Sequence, residues 1–246
     1  MTTTRRRILR AACGVGPACA FLVAATTLVA RADDAIRLPA ATRSTGDVTL
    51  EFPDVVYRPP VVGADPTADY AAVISAALGI VVDPVRDRFA DAQNRMLFRH
   101  PENAGVFLKI YKTTGKSPRV IAKLLQRDLA IADLLERRGV PHARLADLPA
   151  LRERGIVQQD FVKGKGLDAL YPGGYRLGTD PAVDRVLRAL APLDDAVRTL
   201  VGRQLGLTAR NDVDCRTTRS LGFDLGHCYG NVVVATDTGD AVLVDW

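Results

Sequence analysis

The 246-residue sequence is poor in the residues that build metal clusters and disulfide scaffolds. It contains four cysteines, three histidines and one tryptophan. Cys13 and Cys19 lie in the N-terminal apolar segment, and Cys215 and Cys228 have only His227 close to them. A structural zinc site needs four Cys or His ligands at short spacings, so this pattern argues against zinc.

Two other features are missing from the sequence. No internal repeat or low-complexity segment occurs, and no GxxxxGK[ST] motif is present. The first absence excludes a solenoid or other repeat architecture, and the second excludes the phosphate-binding loop of P-loop NTPases.

The N-terminus has the pattern of an export signal. A run of three arginines, Arg5 to Arg7, precedes an apolar stretch over 11–30, and an A-x-A cleavage site follows at 30–32. We predict that residues 1–32 are a cleaved signal. The pattern fits both the twin-arginine and the general secretory route, and the twin-arginine route is favoured. The mature protein is then periplasmic or secreted. The alternative is an uncleaved membrane anchor, which Gly14, Gly16 and Pro17 weaken.

The charge balance gives no indication of a nucleic-acid partner. The chain has 33 Lys and Arg against 28 Asp and Glu, and five of the arginines but no acidic residue lie in 1–32. The mature chain is therefore formally neutral at 28 against 28. The high pI of about 9.2 belongs mostly to the signal. We expect no nucleic acid to bind, and a membrane to be contacted only through an uncleaved signal.

The two remaining cysteines form an even pair on either side of Asp224. In an oxidising compartment Cys215 and Cys228 can form a disulfide. Sequence alone does not show whether their Cα atoms come close enough, so a bridge and two buried thiols both stay open.

The middle of the chain predicts a small antiparallel sheet after an N-terminal extension over 33–77. Within the extension, 47–57 alternates like a strand interrupted by Pro53, and Asp65-Pro66 predicts a helix that runs to about Ala77. We predict strands over 78–82, 95–99 and 105–112. The segment 83–94 is interpreted as a short helix or a polar loop.

Lys109 lies inside the apolar run of the third predicted strand. A lysine at a core position is costly unless an anionic group pairs with it. The alternative is an edge strand on which Lys109 and Phe107 share a face directed to solvent.

Two helices are predicted on either side of a further strand over 156–162. Ser117-Pro118 begins the first, which Gly139 closes. Asp180-Pro181 begins the second, which runs to about Leu205 and is kinked or divided by Pro192.

The last 26 residues predict a β-hairpin. Apolar runs over 231–235 and 241–246 flank the polar turn 236–240. Asn231 enters the first strand, Asp245 leaves the second, and Asp224 precedes Asn231 by seven residues. Two carboxylates and an amide are suited to a hard cation and the phosphates that it carries.

The sequence GNVVV…AVLVDW resembles the metal-binding loops of the protein-kinase-like superfamily, which includes the aminoglycoside and choline kinases. In that superfamily an Asp, a short loop, an Asn, a hairpin and a second Asp follow one another. The resemblance implies an α+β fold with two kinase-like lobes, an N-lobe over 78–160 and a reduced C-lobe over 161–246. It also implies that Asn231 and Asp245 bind Mg²⁺ and that Asp224 accepts the proton of a hydroxyl.

The stretch RDLAIADLLERRGVPHARL is similar to the helix that follows the phosphate-binding lysine in aminoglycoside-phosphotransferase-like kinases. The resemblance implies that Lys109 holds ATP phosphates and that Asp128, in place of the family's Glu, orients the lysine. Gln126, Asp133 and Glu136 are the alternative partners. The strand over 156–162 then corresponds to the segment that holds the adenine.

The resemblance implies an ATP- and Mg²⁺-dependent phosphotransferase that acts on a hydroxyl. A protein hydroxyl is favoured over that of a small molecule, because a reduced C-lobe leaves little room for a small-molecule pocket. The family continues beyond the position of Trp246 with an activation segment and several helices, so the expected fold is a minimal one, as in some bacterial effector kinases.

Three departures favour the alternative, a non-catalytic pseudokinase or exported binding protein on the same fold. The family's catalytic Asp stands five residues before the Asn, at Gly226 here, so Asp224 fits only if the loop is two residues longer. No glycine-rich loop lies between Val82 and Arg95, and Asp128 replaces a Glu. Export favours this alternative too, since ATP is scarce outside the cytoplasm.

Overall fold

A five-stranded antiparallel sheet is the largest sheet of the structure, a computed structural model that describes residues 35–92, 94–172, 174–206 and 231–246. The strands of the described part are β1 (Ile36–Leu38), β2 (Ala41–Thr45), β3 (Val48–Phe52), β4 (Val55–Tyr57), β5 (Arg88–Asp91), β6 (Arg95–His100), β7 (Asn103–Tyr111), β8 (Leu145–Ala146), β9 (Ile156–Asp160), β10 (Gly164–Gly166), β11 (Val232–Ala235) and β12 (Ala241–Leu243). Its helices are α1 (Pro66–Leu78), α2 (Pro118–Arg137), α3 (Pro149–Arg152), α4 (Leu167–Leu170), α5 (Pro181–Leu190) and α6 (Asp194–Leu205). This content confirms the predicted α+β class.

The large sheet has the order β5-β6-β7-β9-β8, so β7 is its central strand. In the antiparallel register Arg95 lies opposite Tyr111, and Leu97 lies opposite Lys109. Val157 of β9 is the other neighbour of Lys109. Directly opposed residues point to the same face of a sheet. Residues from three strands therefore surround Lys109 on one face.

The two faces of the large sheet pack against different helices. Alternation along β7 places Leu108 and Ile110 in one apolar cluster with residues of α1. Tyr111 belongs to a second cluster, with Ile121 and Leu125 of α2. The polar residue Lys109 thus lies on the face of the sheet that is turned to α2.

Helix α1 begins where its sequence predicts and ends one residue later than predicted. Asp65 caps it, because its carboxylate accepts the N–H groups of Thr67 and Ala68, each at 3.1 Å. Gly79 ends it in a left-handed conformation at φ 70° and donates to the Ser75 carbonyl.

The predicted strand over 78–82 is wrong. Leu78 is the last residue of α1, and the residues after Gly79 form no strand. The backbone N–H of Val82 instead donates to the hydroxyl of Ser75 at 2.9 Å. The apolar run therefore combines a helix end with a loop that is tied back to that helix.

The interpretation of 83–94 as a short helix or polar loop is also wrong over 88–91, which form β5. This strand pairs with β6 through a register shift between Arg88 and Ala90. It is an edge strand, and most of its residues are exposed. Charged side chains are common on edge strands because they prevent pairing with another chain, which explains the polar composition.

Helix α2 is buried over much of its circumference. Ser117 caps it, and thirteen of its twenty residues are buried. The extension covers the side that the sheet leaves open, and the Gln126 side-chain amide donates to the carbonyls of Pro39 at 3.0 Å and Pro53 at 2.6 Å. Val48, Leu50 and Phe52 of β3 share one apolar cluster with α2 and α6. The extension is therefore part of the core.

The predicted terminal hairpin and the predicted division of the last long helix are confirmed. Helices α5 and α6 are separated at residues 191–193, which include Pro192. Strands β11 and β12 form an antiparallel pair, and β10 joins β11 on its other edge. Helices α5 and α6 pack in one cluster with Val232, Leu243 and Trp246.

We expect Gly164→Ala to lower the free energy of unfolding by about 1–3 kcal/mol, the usual cost of overpacking. A Cβ at position 164 would lie 2.5 Å from the Val233 side chain and closer still to the Val234 carbonyl. Urea unfolding measures the change. Gly63→Ala is the control, because its Cβ would meet its nearest atom at an ordinary 3.5 Å. Equal effects of the two changes would contradict this prediction.

Among the described residues, no helix is both long enough and apolar enough to cross a bilayer. The predicted export signal, Asp224 and all four cysteines lie outside the described residues.

Candidate functional site

A cavity of about 400 Å³ lies between the large sheet and the terminal hairpin. Three of the predicted site residues line it: Lys109, Asn231 and Asp245. The other lining residues come from β5 to β7, from the end of β9 and the segment after it, and from the hairpin: Phe89, Leu97, Phe107, Gln159, Asp160, Phe161, Val162, Lys163, Gly164, Val233 and Val244.

Lys109 is buried at the centre of this site. Its ammonium lies 3.2 Å from the Asp245 carboxylate and 3.5 Å from the Val244 carbonyl, and the residue is 4% exposed. Burial lowers the pKa of Lys109 and the nearby Arg95 lowers it further, while Asp245 acts in the opposite direction. Because β7 is the central strand, the alternative of a solvent-facing lysine on an edge strand is wrong.

Asp245 is held by two cations through one of its oxygens. Lys109 and the Nη1 group of Arg95 both donate to Oδ1. No described residue bonds to Oδ2. The Asp245 side chain is 31% exposed, and those of Arg95 and Lys109 are 6% exposed. Burial alone would raise the pKa of Asp245, but the charges of Arg95 and Lys109 outweigh it, and that pKa lies below its usual value.

Asp128 lies near Lys109 but does not come within ion-pair distance of it. Its carboxylate binds the Nη2 group of Arg95 at 2.9 Å and that of Arg127 at 2.6 Å, and it accepts a hydrogen bond from the Tyr111 hydroxyl. Arg95 therefore bridges Asp128 on α2 and Asp245 after the hairpin, and Lys109 donates to Asp245 and not to Asp128.

The alternative partners of Lys109 are bonded elsewhere. Gln126 holds the extension, as described above, and Asp133 binds Arg137 of its own helix at 2.8 Å. Glu136, near the C-terminal end of α2, lies 3.8 Å from His142.

The buried group carries a net positive charge. Arg95, Lys109 and Arg127 supply three positive charges, and Asp128 and Asp245 supply two negative ones. Burial and the adjacent Asp128 raise the pKa of Tyr111 well above its usual value, so its hydroxyl adds no charge. An unbalanced buried charge is costly, so this site is suited to an anionic ligand.

Sequence reasoning missed Arg95. It is the first residue of β6 and is only 5% exposed. Its register position opposite Tyr111 places it on the same face of the sheet as Lys109. A hydrophilic residue at alternate spacing with Leu97 in the run RMLF is a weak signal for this position, because it identifies the face only once the pairing of β6 with β7 is known.

Aromatic side chains form another part of the cavity wall. Phe107 lies between Phe89 and Phe161, with ring centroids 4.4 Å and 4.5 Å from each. Phe107 and Lys109 stand two residues apart on one face of β7, a distance of about 7 Å. Phe89 is 44% exposed, unusual for a large apolar side chain. The cavity thus combines an apolar aromatic surface with a buried cation.

The described residues do not form a stand-alone metal site. They contain no group of three or more His, Cys, Asp or Glu that could hold a metal ion. Asp245 and Asn231 can nevertheless supply two oxygens to a cation whose other ligands are phosphate and water, which is how Mg²⁺ is usually bound. Asn231 and Asp245 alone would hold a divalent ion weakly, and a phosphorylated ligand would complete its coordination.

Comparison with known proteins gives no further assignment. No protein-family model matches the chain, and no curated protein matches it.

Proposed function

We propose that this protein is a phosphotransferase with a two-lobed kinase-like fold, which transfers a phosphoryl group from ATP to a hydroxyl with Mg²⁺ as cofactor. A protein hydroxyl is favoured over that of a small molecule. The proposal includes export, with residues 1–32 as the signal.

The observation that carries the proposal is the 3.2 Å contact between Lys109 and Asp245, which are 136 residues apart in sequence. In kinase-like enzymes the phosphate-binding lysine is on the third strand, and the aspartate after the hairpin holds the metal. Here Lys109 is on the third strand of the large sheet in chain order, a long helix follows it, and Asp245 follows the hairpin.

Each residue of the site then has a role. Lys109 holds the phosphates, and Asn231 and Asp245 hold Mg²⁺, which would neutralise charge on the transferring phosphoryl group. Asp128 orients Lys109 only indirectly, because it binds Arg95, which in turn binds Asp245. Asp224 accepts the hydroxyl proton, a role that rests on the sequence alone.

The aromatic wall supports ATP as the ligand. Phe89, Phe107 and Phe161 give the adenine a surface on which to stack, and the backbone of residues 160–163 follows the strand next to β7. Stacking of a base on an aromatic side chain contributes about 1–3 kcal/mol.

One observation favours the alternative, a non-catalytic nucleotide-binding protein on the same fold. Arg95 already binds the Asp245 oxygen that Lys109 also binds. A metal ion at Asp245 must therefore bind a carboxylate whose charge two protein cations already neutralise, and this weakens metal-dependent chemistry.

We expect ATP with Mg²⁺ to raise the melting temperature of the protein and Lys109→Met to remove most of that rise. At an ATP concentration of 100 times Kd, binding adds about 2.7 kcal/mol to the stability of the folded state. Thermal shift measures binding, and label from γ-labelled ATP on protein acceptors measures transfer. Lys116→Met is the matched control, because Lys116 lies outside the cavity.

The two readouts separate the candidate functions. A shift with transfer supports the phosphotransferase, and a shift without transfer selects the non-catalytic protein. No shift for the wild-type protein would contradict both.

A further inference from the structure

Arg95 contacts two carboxylates of the candidate site, and none of the predicted site residues that the structure describes does so. Its Nη1 donates to Asp245, and its Nη2 lies 2.9 Å from Asp128 and 3.4 Å from the Trp246 carbonyl. Its guanidinium carbon lies 5.5 Å from the centre of the Tyr111 ring. A planar guanidinium presents its donors in a rigid fork, so one side chain can hold two carboxylates in a fixed relation.

We propose that Arg95 is a positioning residue that acts as a built-in cation of the nucleotide site: it holds Asp245 through Oδ1, competes with the metal ion for that carboxylate, and lets the site bind nucleotide phosphates without a metal. This inference rests on the proposed function, since it concerns the ATP and Mg²⁺ of the same site.

The geometry supports both claims, the competition with a metal ion and the binding of phosphates without one. Arg95 and Lys109 converge on one oxygen of Asp245, which leaves a divalent ion a single carboxylate oxygen close to two positive charges. Those charges weaken metal binding, because like charges repel in a site of low dielectric. The same charges attract phosphate, and the group carries one more positive than negative charge.

Arg95 also connects α2 to the site. In the kinase-like family the lysine itself binds an acidic residue of the helix. Here Asp128 of α2 binds Arg95, and Arg95 binds Asp245. Helix α2 is therefore linked through Arg95 to the proposed metal ligand Asp245, and to Lys109 only through Asp245.

A purely structural role for Arg95 makes a different prediction. Loss of Arg95 would then loosen Asp245 and Lys109 together, and both ligands would bind more weakly. A competing cation predicts changes of opposite sign, with tighter metal binding and weaker binding of metal-free nucleotide.

The test measures Mn²⁺ binding without nucleotide by electron paramagnetic resonance, and ATP binding in EDTA by calorimetry. For Arg95→Met we expect the Kd of Mn²⁺ to fall at least threefold and the Kd of metal-free ATP to rise at least tenfold. Arg95→Lys keeps the charge but not the fork, and both of its values should lie between those of the wild type and Arg95→Met. The control is Arg119→Met, which removes a charge from an exposed position on α2 and should change neither Kd more than twofold.

Removing Arg95 deprives the buried Asp128 carboxylate of one of its partners, so the folding of the variant needs its own control. The double variant Arg95→Met with Asp128→Asn removes one charge of each sign and replaces the single variant if that variant does not fold. Its Kd for Mn²⁺ should still fall at least threefold, because Asp245 has lost one of its two cations while the net charge of the group is unchanged.

The outcomes are distinct. Weaker binding of both ligands, or no change in either, would overturn the role of Arg95 while leaving the proposed function intact. If wild-type protein binds no nucleotide, the proposed function fails, and the Mn²⁺ measurement alone then decides whether Arg95 competes for Asp245, with no tightening in Arg95→Met counting against it.

Discussion

Asp128→Ala should lower the free energy of unfolding by about 3–5 kcal/mol, the usual cost of removing one partner from a buried ion pair. Asp128 is 3% exposed and binds both Arg95 and Arg127. Without it, Arg127 loses the only carboxylate that it contacts in the described part of the chain, and the Tyr111 hydroxyl loses its acceptor. Two buried guanidinium groups are then left with one carboxylate between them.

Chemical denaturation with circular dichroism measures this loss, and the same helix offers a matched control. Asp133 binds Arg137 one turn away at 2.8 Å, and its side chain is 46% exposed. Exposed pairs at this spacing contribute about 0.3–0.5 kcal/mol, so Asp133→Ala should change the stability by no more than that. Comparable losses for the two variants would show that the buried group does not stabilise the fold. Asp128→Asn, which keeps an acceptor for Tyr111, should fall between the wild type and Asp128→Ala.

The helices and the terminal hairpin could be predicted because their signals are local. Asp65 and Ser117 each precede a proline, and in both cases the side chain caps the helix as the sequence indicates. Pro192 lies in the break between α5 and α6. The hairpin depends on a polar turn between two β-branched runs, and strands β11 and β12 lie within those runs.

The two wrong predictions have a common physical cause: the composition of a segment does not determine whether it lies in a sheet or at which position. The run over 78–82 is as apolar as a strand, yet Gly79 ends α1 and Ser75 binds Val82, so no partner strand is needed. Strand β5 is polar because it is an edge strand, and only its pairing with β6 identifies it. Neither pairing nor its absence can be deduced from a short segment alone.

The contacts of the N-terminal extension could not be predicted from the sequence either. Its alternating stretch predicted a strand, and β3 and β4 lie within it. Apolar packing of β3 on α2 and two hydrogen bonds hold the extension in place. The bonds run from Gln126 to the carbonyl groups of Pro39 and Pro53, which are 87 and 73 residues away along the chain. No pattern in the sequence indicates such contacts.

For the candidate site, the resemblance to kinase-like proteins predicted two of the residues that meet. Lys109 and Asp245 were expected to act on one ligand, and the structure places them in contact. Asp128 was expected to bind Lys109, and it binds Arg95 instead. The arginine could not be anticipated, because its effect depends on the register between β6 and β7 and on a contact with Asp245 across 150 residues.

Asp245→Asn should reduce phosphoryl transfer at least about 100-fold, the order of loss seen when one group that stabilises transition-state charge is removed. The substitution keeps the size of the side chain and removes the charge that is proposed to hold Mg²⁺. The pKa of Asp245 lies below its usual value because Arg95 and Lys109 outweigh the effect of burial, so the carboxylate is ionised throughout the neutral range. The loss therefore reports the charge itself, and raising the pH should not restore activity.

A control within the same hairpin separates this effect from a general disturbance. Asp240 lies in the turn, where it binds Arg185 at 3.1 Å with 58% of its side chain exposed, and Asp240→Asn should change the transfer rate less than twofold. Stability provides a second test with a defined sign. A carboxylate with a lowered pKa in the folded state stabilises the protein above its unfolded pKa of about 3.9 and loses this contribution as the pH falls. Unfolding of wild type and Asp245→Asn should therefore differ most near neutral pH and converge in acid. A constant difference across that range would contradict the ion pair that holds Asp245.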